Sequence, residues 1–122
     1  MAKLYLIIGS VLCLLSVALG AFAAHGLKGR LSDYAIGIFN TAAQYQMTHG
    51  LAIIATAFLI KWGLKVQVAG GFFIAGVLLF SGSLYLLALT GMKWLGPITP
   101  IGGTCFLIAW ILLIVQAAKS SF

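Results

Sequence analysis

Acid is what this sequence has least of. Its 122 residues include no Glu and a single Asp, Asp33, against seven Lys and Arg. Catalysis by paired carboxylates needs two such groups close together, so that chemistry is excluded. A Ser–His–Asp triad is excluded with it, because Asp33 lies in a connection between apolar runs. Charge of either sign is scarce, at 7% of residues, where soluble domains carry about 25%. A domain this small exposes much of its surface, and so few charges cannot cover it. Soluble enzymes, soluble nucleic-acid binders and disordered tails are thereby ruled out. Cysteine is limited to Cys13 and Cys105, histidine to His25 and His49, and no C-x-x-C or H-x-x-x-H spacing occurs. Zinc needs three or four ligands in close array, so no metal and no cofactor is expected, and the cysteines read as small core residues.

What the chain has instead is apolar bulk: 63% of residues are hydrophobic, with a mean hydropathy of +1.19. Four apolar segments stand out, at about 4–24, 41–60, 68–90 and 101–118. A helix rises about 1.5 Å per residue, so roughly 20 residues cross a hydrocarbon layer about 30 Å thick. Strands are excluded because four segments cannot close a barrel and an open sheet leaves backbone groups unpaired in lipid. The expected fold is an all-α membrane protein, a four-helix transmembrane bundle forming one integral membrane domain over residues 1–122. The first segment also carries features of a signal peptide: Lys3, an apolar run, and small residues at Ala21 and Ala23. Its apolar stretch is longer than a usual signal core, which favours a retained span. A lipoprotein site at Cys13 is disfavoured by Leu12 before it.

The cations sit at the ends of the apolar runs, where they meet lipid headgroups. Four spans place both termini on one side. Lys3, Lys61, Lys65 and Lys119 then share that side, and Lys28, Arg30 and Lys93 share the other, so the positive-inside rule predicts cytoplasmic termini. Trp62 and Trp94 beside Lys61 and Lys93 match an interfacial belt, whereas the indole N–H of Trp110, within the fourth span, calls for a partner. Ser32 is placed to cap a helix that starts at Asp33 and runs on into the second span. Pro97 and Pro100, with Gly96, Gly102 and Gly103, predict a helix-free connection over 91–103. That stretch either re-enters the membrane, as binding segments of transporters do, or forms a tight loop. Small residues at Ser16, Gly20 and Ala24, and at Gly71 and Ala75, predict the close packing faces of the first and third spans.

The second span is the polar one. Thr41, Gln44, Tyr45, Thr48 and His49 fall on one broad face at about 100° per residue, with Gln46 at its edge. Polar groups in a span usually face the bundle. The candidate polar pocket takes Gln44, Tyr45, Gln46 and His49 from this helix, Ser81, Ser83 and Tyr85 from the third, and His25, Thr99 and Pro100 from connections. Two readings stand side by side, a ligand or proton site centred on His49 and interhelical hydrogen bonding that fixes the fold.

The chain carries GAFAAHGL at 20–27, Tyr45 with His49, FSGSLY at 80–85, ITPIGG at 98–103, and Trp110. In these motifs it resembles the domain of unknown function 423 family, small bacterial inner-membrane proteins whose eukaryotic relatives are called transmembrane protein 256. Ala23 departs from the pattern, where Gly is expected. The resemblance implies an uncleaved four-span protein of the bacterial inner membrane, and it carries no activity with it. It singles out His25, Tyr45, His49, the 81–85 run and the Thr99–Pro100 turn. The leading expectation is a non-enzymatic accessory or interaction protein, or one that binds a lipid-like molecule. Its partners would be membrane lipids and either another copy or a subunit of a membrane complex, not nucleic acid. A small oligomeric transporter or channel is the second reading. A haem- or quinone-linked redox protein is the third, because two axial histidines suffice for haem.

Overall fold

A computed structural model describes residues 1–121. The elements are α1 (Ala2–His25), α2 (Asp33–Lys61), α3 (Gln67–Gly76), a π-helical turn (Val77–Ser81), α4 (Gly82–Thr90), a short 3-10 turn (Lys93–Leu95) and α5 (Ile98–Lys119). α3, the π turn and α4 form one continuous rod, Gln67–Thr90. The described chain is thus four long helical rods with no strand.

Three of the four rods are long and apolar enough to cross a membrane: Ala2–His25, Gln67–Thr90 and Lys93–Lys119. α2 falls outside that group because Gln44, Tyr45, Gln46, Thr48 and His49 dilute its apolar content. It is nevertheless the most buried helix, holding Phe39, Ala42, Ala43, Gln46, His49, Gly50, Ala52, Ile53, Thr56 and Ala57 inside. α1 packs chiefly on α2; the α3–α4 rod packs on both α2 and α5. α2 is therefore central; of its polar residues Gln46 and His49 face protein. As its sequence indicates, α2 starts at the Ser32 cap, whose hydroxyl accepts from the Ala35 N–H at 3.1 Å.

The core is layered along the axis. One apolar cluster joins Ala23, Leu27, Phe39 and Ala88. The other joins Tyr5, Ala52, Ile53, Ala57, Phe73, Val77, Phe106 and Ala109. Between them lies the level of Ala42, Gln46 and Ser81, where most of the buried polar groups gather, while Thr56 sits within the second cluster.

An expectation from the sequence is corrected. The connection expected over 91–103 is shorter, because α5 already begins at Ile98 and takes Pro100, Gly102 and Gly103 into its opening turns. A proline this near a helix start lacks only an N–H that has no intrahelical acceptor. Gly91, in the left-handed conformation at φ 71°, closes α4 and leaves a turn of six residues before α5. The small-residue faces, whose partner the sequence leaves open between another span and another copy, are used within the chain only in part: Ser16 is buried. Gly20 has nothing near it, Ala24 is exposed and so is Gly71. The close approaches are Gly9 against Gly50 in the α1–α2 seam, and Gly102 against the backbone of Phe80 at the π turn. A stripe of small residues indicates which faces can approach, but the register of the partner decides which do.

A methyl group at position 102 would collide with the Phe80 backbone nitrogen, which cannot swing aside as a side-chain end can. Gly102→Ala is expected to destabilise the fold by about 1–3 kcal/mol in reversible detergent unfolding. Gly37→Ala, where nothing lies within 4 Å, should leave stability unchanged or slightly raised.

Candidate functional site

Gln46 is the centre of the polar layer. Its Nε2 donates to the Leu12 carbonyl of α1 at 2.9 Å, and its Oε1 accepts from the Tyr85 hydroxyl of α4 at 2.7 Å. One buried amide thereby joins three rods. The Ser81 hydroxyl donates to the Ala42 carbonyl at 2.8 Å, tying the π turn to α2. Ser83 and Thr99 share a hydrogen bond of 2.6 Å between α4 and α5, and Ser83 also reaches the Phe80 carbonyl at 2.9 Å. Every buried side-chain polar atom among the described residues has a partner. This is the condition for placing amides and hydroxyls at membrane depth without a large desolvation cost.

His49 is held as firmly. The Tyr45 carbonyl lies 2.8 Å from Nδ1, and the Trp110 indole N–H lies 3.2 Å from Nε2. A carbonyl only accepts and an indole N–H only donates. One neutral tautomer, protonated at Nδ1, satisfies both at once. The ring stacks on Phe106 with centroids 3.6 Å apart and planes within 8°, and Phe73 packs edge-on against Trp110 at 4.8 Å. Both nitrogens of His49 are thus occupied. His25 ends α1 and is exposed. Since Leu12 lies level with Gln46 on the antiparallel neighbour, the two histidines are roughly 24 Å apart along the bundle. They cannot both ligate one haem within the chain, so the two-histidine haem form of the redox reading has no site there. Among the described residues no three His, Cys, Asp or Glu side chains gather.

The polar face inferred on α2 exists but points elsewhere than expected. Gln44, Tyr45 and Thr48 are exposed, on the open strip between α1 and α5, while Gln46, assigned to the edge, turns inward with His49. The expected single pocket therefore divides in two. Gln46, Ser81, Ser83, Tyr85 and Thr99 form the satisfied layer inside the bundle. Tyr45, His49 and Pro100 line a groove of about 570 Å³ that opens between α2 and α5. Gln44 belongs to neither, and His25 stands apart. Phe80 and Phe106, with Gly103, Thr104 and Trp110, complete the groove wall. The Tyr45 ring lies 4.5 Å from that of Phe80 and 6.2 Å from that of Phe106. Sequence reasoning missed Phe106 and Thr104, because one Phe among eight and one Thr in an apolar helix carry no signal until α5 is placed beside α2.

Residues 19–103 match a family model described as Protein of unknown function (DUF423). The chain is 45% identical to the UPF0382 membrane protein YwdK of Bacillus subtilis (strain 168), over 96% of this chain and 98% of that protein. It is equally similar, at 45%, to a UPF0382 membrane protein of Staphylococcus aureus (strain bovine RF122 / ET3-1), over 96% and 97% of the two chains. A third UPF0382 membrane protein, from Staphylococcus haemolyticus (strain JCSC1435), matches at 45% over the same shares. No solved structure matches the chain.

If the Gln46–Tyr85 bond ties α2 to α4, Tyr85→Phe should lower unfolding stability by about 1 kcal/mol, and Gln46→Leu by somewhat more. A double-mutant cycle should return a coupling of about 0.6 kcal/mol, the average for interhelical bonds in a membrane bundle, and at most about 1.7 kcal/mol. A coupling of zero would show that the two side chains do not meet.

Proposed function

The chain belongs to the DUF423 family, and from the groove between α2 and α5 we propose that it is a non-enzymatic membrane protein that binds a lipid-like molecule. The observation that carries this reading is the groove's make-up. Its floor and walls are the rings of Tyr45, His49, Phe80, Phe106 and Trp110, and hydroxyls of Tyr45, Thr48 and Thr104 stand along it. Tyr45 and Thr48 make no side-chain hydrogen bond among the described residues, whereas Thr104 is bonded back to the Pro100 carbonyl at 2.9 Å. Aromatic walls with a few polar groups suit a ligand that has an apolar body and one polar group. The groove opens sideways, toward the bilayer, from which such a molecule would enter.

In this reading α2 is the fourth span, with the Gln46 amide and the His49 imidazole turned to protein. The protein sits in the bacterial inner membrane with both termini cytoplasmic. Lys3, Lys61, Lys65 and Lys119 lie at one end of the rods without an acid, and Lys28, Arg30 and Lys93 lie at the other with Asp33. A catalytic role finds no acid to use. Asp33 stands at the far end of α2, roughly 24 Å along the helix from His49, and His49 is locked by two hydrogen bonds. A conduction path through one chain draws no support from an interior filled by Phe39, Ile53, Phe73 and Phe106. Saturable solute flux in proteoliposomes would nonetheless restore the transporter reading.

Native mass spectrometry of the protein released gently from its own membrane tests the proposal. The wild type should carry a reproducible extra mass in the range of a lipid. Gly103→Leu pushes a side chain into the groove and leaves the interior hydrogen bonds in place. It should fold with the same helix content and lose that mass at least tenfold. A bare wild-type protein, or a Gly103→Leu variant that keeps the same mass, would overturn it.

A further inference from the structure

Two amides on the outside of α2 have no account in the fold. Asn40 and Gln44 are exposed, and neither makes a side-chain hydrogen bond among the described residues. Their depth is set by their neighbours. Gln46 bonds the Leu12 carbonyl, and Leu12 lies near the middle of the Ala2–His25 span. Gln44 is two residues from Gln46, about 3 Å along the axis, and Asn40 is six residues away, about 9 Å. Both therefore fall within the hydrocarbon, whose half-thickness is about 15 Å, and Gln44 is close to its centre. Leaving an amide there without a partner costs several kcal/mol, and polar side chains at that depth otherwise face protein or a water-filled cavity. Snorkelling does not relieve Gln44, because its side chain is far shorter than the distance to either headgroup layer.

We infer that a second copy of this chain packs on the α1–α2 face and that Gln44 of each copy bonds the other. A glutamine amide both donates and accepts. Two of them related by a two-fold axis complete each other, which is what an isologous interface requires. The surface around them permits close approach. A groove of about 300 Å³ is lined by Ser16, Gly20, Asn40, Ala43, Gln44 and Met47, so that three small residues and one flexible Met flank the two amides. Helices in lipid associate through such packing and through interhelical amide bonds, because apolar burial drives nothing between lipid-facing surfaces. Lipid tails cannot replace the partner, since they offer no donor or acceptor. The inference is independent of the ligand groove, which opens on the α5 side of the same helix.

Association is read by energy transfer between two labelled populations reconstituted in vesicles at increasing protein-to-lipid ratio. The wild type should dimerise, and Gln44→Leu should weaken the dimer at least tenfold, with Asn40→Leu adding a smaller loss. Helix content and detergent unfolding of Gln44→Leu should stay as in the wild type, since Gln44 bonds nothing within its own chain. In a background of Cys13→Ala and Cys105→Ala, Gln44→Cys should cross-link to itself on mild oxidation, and Ile114→Cys, exposed on α5, should not. A wild type that stays monomeric at every density, a dimer indifferent to Gln44→Leu, or a Gln44→Cys that cross-links only to another protein would each overturn the inference.

Discussion

The fold depends on the buried amide of Gln46 having a donor and an acceptor at membrane depth. In water such a group trades protein partners for solvent at little cost, but in hydrocarbon it has only the protein. The Leu12 carbonyl and the Tyr85 hydroxyl meet that need from two different helices. Satisfying one side chain therefore fixes α1, α2 and α4 in register. Apolar packing above and below, around Phe39 on one side and Ile53, Phe73 and Phe106 on the other, fills the space between the rods. The Ser81–Ala42 bond at the π turn and the Ser83–Thr99 bond to α5 extend the same constraint to the rest of the bundle.

The π turn and Gly102 belong together. Widening the helix over Val77–Ser81 alters the direction in which the following residues project, and the Phe80 backbone approaches α5 only because position 102 has no side chain. That approach carries Phe80 and Phe106 to the same groove, beside Tyr45 and the stacked His49. His49 thus works as a spacer between α2 and α5, with both nitrogens and one ring face engaged by protein. What remains open to the bilayer is the aromatic surface and the hydroxyls next to it.

α2 presents polar groups on two sides at once. Inward, Gln46 and His49 are satisfied within the chain. Outward, Gln44, Tyr45 and Thr48 look through the gap between α1 and α5. The inward set ties the rods of one chain together, and the outward set leaves donors and acceptors on the surface of the bundle. A helix so placed cannot be as apolar as its neighbours, and this one is not.

The sequence by itself determined the environment and the number of rods. Scarce charge and four long apolar runs admit no other solution than helices in a bilayer, because the backbone must satisfy itself there. The start of α2 at Ser32, the partner sought by Trp110 and the concentration of polar residues on the second helix were likewise legible, since each is a local demand of one side chain. The motifs of the DUF423 family were legible too, and they named residues without naming a role. Tertiary structure alone decided which polar side chain meets which, and which side of α2 is inside. Helical spacing groups Gln44 with Tyr45 and His49, but it carries no information on where the neighbouring rods stand. Only the placement of α1 and α5 turned Gln46 inward and left Gln44 on the outside of the bundle. The same holds for Pro100, which reads as a breaker until its place in the first turn of α5 is known. Contacts between distant segments depend on register and rotation, and those are set by packing and by the pairing of buried polar groups, not by local composition.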